Sequence, residues 1–137
     1  QGKYIDEKFA GKYYDEVTVG IDFTARDLQS AQKAKGLPWE IAKAFDNSAV
    51  IGTFSSLPKG EEIRFSLQLN GKEVQQGNTS EMMFSFEKII AYASQFFTLQ
   101  VGDLIYTGTP AGVGPVNRGD RLQGFLAAEM VFDFEIK

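Results

Sequence analysis

The sequence predicts a largely β fold, a sandwich or roll with a few short helices set into it (α+β), and three stretches carry that reading. In DEVTVGIDF, residues 15–23, Val17, Val19 and Ile21 alternate with Thr18, Gly20 and Asp22, the period of a strand with one buried face. In IRFSLQLNGKEVQQG, residues 63–77, Ile63, Phe65, Leu67 and Leu69 alternate with polar residues up to Asn70-Gly71, a pair that supplies a tight hairpin turn. The tail, LQVGDLIYTGTP and then VNRGDRLQGFLAAEMVFDFEIK, reads as further strands, with Gly102-Asp103 and Gly119-Asp120 each opening an apolar run.

The remaining elements follow in chain order. Residues 1–14, QGKYIDEKFAGKYY, are polar, carry two glycines and show no sustained period, so a surface lead-in loop is expected there. After the first strand, ARDLQSAQKAKG holds good helix formers, lysines in its last turn and Gly36 at the stop, which predicts a helix from about Arg26 to Lys35. Pro38 suits the first turn of a second short helix in PWEIAKAF. VIGTF, residues 50–54, reads as a strand. In SFEKIIAYASQFF, Ser85 is the expected N-cap, and Phe86, Ile89, Ile90, Ala93 and Phe97 share one helical stripe.

A chain of 137 residues fits one domain with a real core, and 43% hydrophobic and 13% aromatic residues exclude the disordered and fibrous classes. Of the twelve phenylalanines, Phe96, Phe97, Phe132 and Phe134 are apolar enough for an interface, with the core the favoured place. The 18 acidic and 14 basic residues are scattered, the net charge is −4, and no basic block is present to neutralise phosphates, so nucleic acid is not an expected partner. The absence of cysteine removes disulfides and thiolate chemistry, and the absence of histidine removes imidazole ligands. Any bound metal must then be a hard cation on oxygen donors, such as Mg2+, Mn2+ or Ca2+. No apolar run approaches the roughly 18 residues of a membrane span and no leader pattern opens the chain, so no membrane contact and a cytoplasmic location are expected.

Three motif matches carry little weight. Asn78-Thr79-Ser80 fits a glycosylation acceptor in a chain not expected to be secreted, and Arg118-Gly119-Asp120 reads as a turn that starts a strand. The run TGTPAGVGP lacks the Gly-Lys-Ser/Thr ending of a phosphate loop and precedes no helical pattern. It suits instead a backbone wall close to a small ligand, because glycines allow close approach and Thr107 and Thr109 offer hydroxyls.

GIDFTARDLQ, residues 20–29, is more informative. It sets Asp22 at the end of a strand, facing away from Ile21, and puts Arg26, Gln29 and Lys33 on one stripe of the following helix. One explanation is structural: Asp22 or Asp27 caps the helix and Arg26 makes a surface ion pair. The other is functional, since a carboxylate in an apolar strand needs a cation, and Arg26 or a metal would serve.

GIDFTARDLQ, KGLPWEIAKAFD and GDLIYTGTPAGVGPV, in that order, resemble the C-terminal part of the fumarylacetoacetate hydrolase family, with the similarity running from about Asp15 to the end. The family includes acylpyruvate hydrolases, oxaloacetate decarboxylases and 2-hydroxyhepta-2,4-diene-1,7-dioate isomerases. The resemblance implies a mixed β-sandwich roll, here incomplete at its N-terminus, with residues 15–137 as the C-terminal part of a single catalytic domain. It further implies a homodimer that binds Mg2+ or Mn2+ and acts on a small-molecule 2-oxo or enol acid. Asp22 matches the family's third metal carboxylate. Arg26, Gln29 and Lys43 match the residues that contact substrate and stabilise its developing charge. Thr109 matches the residue that holds the substrate carboxylate, with Gly108 and Gly112 in the same loop.

The family's Glu-x-Glu metal pair and His-Glu base lie upstream of that aspartate, and Glu61-Glu62 is not that pair, since it falls in a turn after Asp22. The expectation is therefore an enzyme portion with an incomplete metal site and negligible turnover alone. The alternative is a non-catalytic β-rich binding module that keeps the fold.

Overall fold

The computed structural model describes residues 1–57 and 62–137. The elements are α1 (Glu7–Ala10), β1 (Glu16–Val17), β2 (Gly20–Asp22), α2 (Arg26–Ala34), α3 (Glu40–Lys43), β3 (Ala49–Ile51), β4 (Ser55–Ser56), β5 (Arg64–Leu69), β6 (Lys72–Asn78), a 3-10 turn (Thr79–Glu81), α4 (Phe86–Phe96), β7 (Arg121–Leu126) and β8 (Glu129–Glu135). The class is the expected one, mostly β with short helices. Four strands form a sheet in the order β6-β5-β7-β8, while β1 pairs with β4 and β2 with β3, and all the described pairings are antiparallel.

The expected hairpin is β5–β6, with Leu69 opposite Lys72 and the two turn residues in the left-handed region, Asn70 at φ 52° and Gly71 at φ 77°. This is the conformation that Asn-Gly adopts most readily and that matches the twist of the flanking strands. Helix α4 begins where expected, with the Ser85 hydroxyl accepting from Lys88 N at 3.2 Å. Helix α2 ends at Ala34 with Lys35 as its C-cap, followed by Gly36 at φ 65°.

Two apolar clusters hold these layers together. Ile63, Leu126 and Val131 are buried beneath Val17, Val19, Leu57, Phe65, Phe86 and Phe132. Ile5, Ala10 and Ile90 form the second cluster with Tyr14 and Leu99. That second cluster corrects the expectation of a surface loop over residues 1–14, which carry α1 and dock on α4. Gly2 and Leu99 exchange backbone bonds, and Ser94, itself buried, accepts from Tyr4 N with its carbonyl and from Ile5 N with its hydroxyl, both at 2.9 Å. The polar look of the segment hid two apolar anchors, Ile5 and Ala10, three to five residues from either end.

Three strand boundaries also differ. The single strand expected over 15–23 is split into β1 and β2, because opposite the break the chain turns away at Thr53: Gly52 N still bonds Val19 O at 3.0 Å, but Thr53 N bonds Val131 O at 2.8 Å. For the same reason VIGTF is a strand only as far as Ile51. The expected strand over LQVGDLIYTGTP is absent, since positive φ at Gly102 and Gly108 turns the backbone out of any extended ladder. The expectation of a core position for four phenylalanines divides: Phe132 packs on the Ile63 cluster and Phe134 meets Phe23 edge-on, while Phe96 and Phe97 are 60% and 67% exposed.

Arg118-Gly119-Asp120 is a turn leading into β7, with Gly119 at φ 90° and Asp120 Oδ2 accepting from Asn117 N at 2.7 Å. Asn78 caps the 3-10 turn through Ser80 N and donates to Glu62 at 3.0 Å. Of Glu61-Glu62, Glu61 lies outside the described residues. No described helix is long and apolar enough to cross a membrane.

Candidate functional site

Asp22 closes β2, opposite Ala49 of β3. From there Phe23 N bonds Ser48 O at 2.8 Å and Ala25 N bonds Ala42 O at 3.0 Å, which ties the start of α2 to the buried face of α3. Lys43, the last residue of α3, is thereby delivered to the strand end. Its Nζ lies 2.6 Å from Asp22 Oδ2 and donates to Thr24 Oγ1 at 2.8 Å. The pair is open, with the Asp22 side chain 52% exposed, so the ion pair itself contributes only about 0–1 kcal/mol to stability. Its interest lies in placing a carboxylate, an ammonium and a hydroxyl at one accessible point.

Lys43, and not Arg26, is the cation beside Asp22. Arg26 turns along its own helix and donates from Nη1 to Gln29 Oε1 at 2.7 Å, the i, i+3 contact expected from the spacing. Neither aspartate caps α2: its N-cap is Ala25, which makes no side-chain cap bond, and Asp27 sits exposed within the first turn.

The glycine-rich segment reaches this cluster through Tyr106. Its hydroxyl donates to Val50 O at 2.8 Å, and burial together with the neighbouring Asp22 charge pushes its pKa up. Gly20 makes room for it: a Cβ at position 20 would lie 2.8 Å from both the Tyr106 oxygen and the Val50 carbonyl. Thr109 follows Tyr106 by three residues, at most roughly 11 Å of chain. There Gln75 of β6 donates from Nε2 to Thr109 Oγ1 and to Pro110 O, each at 3.0 Å. Gly112, at φ 101°, lies against β6, where a Cβ would stand 2.2 Å from the Val74 carbonyl oxygen. Gly108 is at φ 130° with open space at its Cβ position.

The loop 106–112 thus runs as a strap from the β2–β3 pair to β6, with Thr109 along it. Sequence reasoning missed Thr24, Tyr106 and Gln75. Thr24 lay inside the quoted block and Tyr106 immediately before the loop, whereas Gln75 occupied an ordinary polar position of a hairpin strand.

The charge and the hydroxyls suit an anionic, oxygen-rich ligand. As a metal site the residues are insufficient: among the described residues no three aspartates or glutamates converge, and Asp22 offers one carboxylate where a hard cation takes about six oxygens. The residues present therefore do not fit a complete metal centre.

The chain belongs to the fumarylacetoacetate hydrolase family, whose C-terminal domain pattern matches residues 2–136. It is 39% identical to the mitochondrial oxaloacetate tautomerase of Mus musculus over the whole of this chain and 63% of that protein. A solved structure of a protein from Yersinia pestis CO92, ascribed to the same family, superposes with a TM-score of 0.92 at 40% identity, over 98% of this chain and 65% of that one. The fumarylpyruvate hydrolase of Pseudomonas aeruginosa, solved with Mn2+ and pyruvate, superposes with a TM-score of 0.87 at 37% identity, over 99% of this chain and 59% of that one. The chain spans a little under two thirds of the length of these relatives.

Proposed function

We propose that this chain contributes one side of the active site of a divalent-metal-dependent enzyme acting on 2-oxo or enol acids, by hydrolysis, decarboxylation or isomerisation. The observation that carries the reading is the convergence of Asp22, Lys43 and Thr24 at one exposed strand end, with the Thr109 strap tied to the same strands through Tyr106. Family membership and a relative solved with Mn2+ and pyruvate support it.

In this reading Asp22 would be one ligand of Mg2+ or Mn2+, an ion that would polarise the oxo acid, with the other donors supplied by parts of the enzyme beyond these residues. Lys43 and Arg26 hold fixed positive charge where an enolate develops, and Gln29 orients Arg26 through their hydrogen bond. The Thr109 hydroxyl donates to the substrate carboxylate, and Gly108 and Gly112 let the strap approach it. Residues 15–137 act as the C-terminal part of a single catalytic domain. The assembly is a homodimer, supported by the exposed Tyr92, Phe96 and Phe97 at the end of α4; sedimentation at micromolar concentration should give twice the chain mass, and a monomer would refute it. For the compartment, the mouse relative's name places that protein in mitochondria, and the cytoplasmic expectation rests on the sequence pattern alone.

Calorimetric titration of the 137-residue chain with Mg2+ and Mn2+ tests the shared site. Binding weaker than roughly 1 mM is expected from a lone carboxylate already paired with a lysine. A micromolar dissociation constant would show that the chain holds a complete site.

A further inference from the structure

Gln75 follows a β-bulge. Leu67 pairs with Gln75 and Gln68 with Glu73, which leaves Val74 without an opposite partner. Bulges re-aim the side chains beside them, and here the bulged Val74 and the following Gln75 both meet the strap. The Val74 carbonyl meets Gly112, and the Gln75 amide reaches Thr109 and Pro110.

We propose that Gln75 is a positioning residue that directs the hydroxyl proton of Thr109 toward a carboxylate of the substrate. The inference rests on the reading of Thr109 as a substrate contact. The orientation of the Gln75 amide is decided by Pro110, whose carbonyl can only accept a hydrogen bond, so the NH2 end must face the strap. That same NH2 donates to Thr109 Oγ1, which makes the hydroxyl oxygen the acceptor in this contact. A threonine hydroxyl has one hydrogen to give, and with its oxygen engaged as an acceptor from Gln75 that hydrogen remains available for an anion. Were the amide reversed, its carbonyl would take the proton and turn it away from any ligand. Gly112 completes the arrangement, since only a residue without Cβ lets the strap lie this close to β6.

The test is a pyruvate titration of the longer enzyme proposed above, 15N-labelled and with Mg2+ present, followed at the amide signals of residues 107–112. The variants are Gln75→Met, which keeps the length and removes the donor, Gln75→Glu, Thr109→Val and the double variant Gln75→Met/Thr109→Val. Signals from α4 report that each variant is folded. Pyruvate should shift the Thr109 amide in the unmodified enzyme, and Gln75→Met should weaken its binding about tenfold, the value of one hydrogen bond to a charged group. Gln75→Glu should weaken it further, because a carboxylate takes the Thr109 proton for itself. In the Thr109→Val background, Gln75→Met should cost nothing more, which a merely structural role would not produce. Unchanged pyruvate binding in Gln75→Met, or an equal loss with and without the Thr109 hydroxyl, would overturn the inference while leaving the site intact. If pyruvate leaves Thr109 unmoved in the unmodified enzyme, the functional reading falls, and the destination given to the proton falls with it.

Discussion

Gly20 shows how much of the site hangs on a missing Cβ. Two groups crowd the place where one would stand, the Tyr106 hydroxyl and the Val50 carbonyl, and the carbonyl belongs to the ladder partner of β2 and cannot swing aside. Gly20→Ala should therefore cost about 1–3 kcal/mol in chemical denaturation and free Tyr106 from Val50, whereas Gly114→Ala, with nothing near its Cβ, should cost far less. Equal losses would show that the fit around Tyr106 is looser than described. At this scale the sequence revealed chemistry better than contacts. Asp22 was marked by its charge in an apolar strand, but its partner was not, since Lys43 stands 21 residues away and joins it only because Ala25 bonds Ala42. Arg26 looked the nearer cation and is taken up by Gln29.

Elements whose signals are local were legible. Asn70-Gly71 fixes the β5–β6 hairpin, Ser85 starts α4 and Gly36 follows the end of α2, each through backbone geometry decided within four or five residues. Elements defined by a distant partner were not. Residues 1–14 carry the short α1 and dock because α4 and Ser94 receive them, and the strands at 15–23 divide because Thr53 bonds Val131. The contact between Tyr14 and Glu87 is a handle on the first of these. Burial, with the hydrogen bond to Glu87 adding to it, pushes the Tyr14 hydroxyl up to about 12. A raised folded-state pKa stabilises below the unfolded value, roughly 10 for tyrosine, and the benefit is lost as pH rises toward 12. Urea denaturation between pH 9 and pH 12 should show stability falling across that window, less steeply in Tyr14→Phe; parallel curves would mean that Tyr14 titrates alike in both states.

For the whole molecule, the family was legible from three blocks in the right order, and the mostly β class from the alternation in residues 15–23 and 63–77. The strap was not legible as a strap: GDLIYTGTP has a strand's composition, and only its glycines at positive φ and its side-chain tethers to β3 and β6 show what it does. The arrangement presents one carboxylate, one ammonium and a row of hydroxyls, and the relatives extend beyond it by more than a third of their length. The proposed function makes Asp22 a site residue and leaves Asp27, five residues on, to the first turn of α2 alone. Turnover of oxaloacetate and acylpyruvates with Mg2+, measured in the longer enzyme proposed above, separates the two most directly. Asp22→Ala should abolish it and Asp27→Ala should leave it near its original rate with a small loss of thermal stability. Equal loss of activity from both substitutions would contradict the assignment.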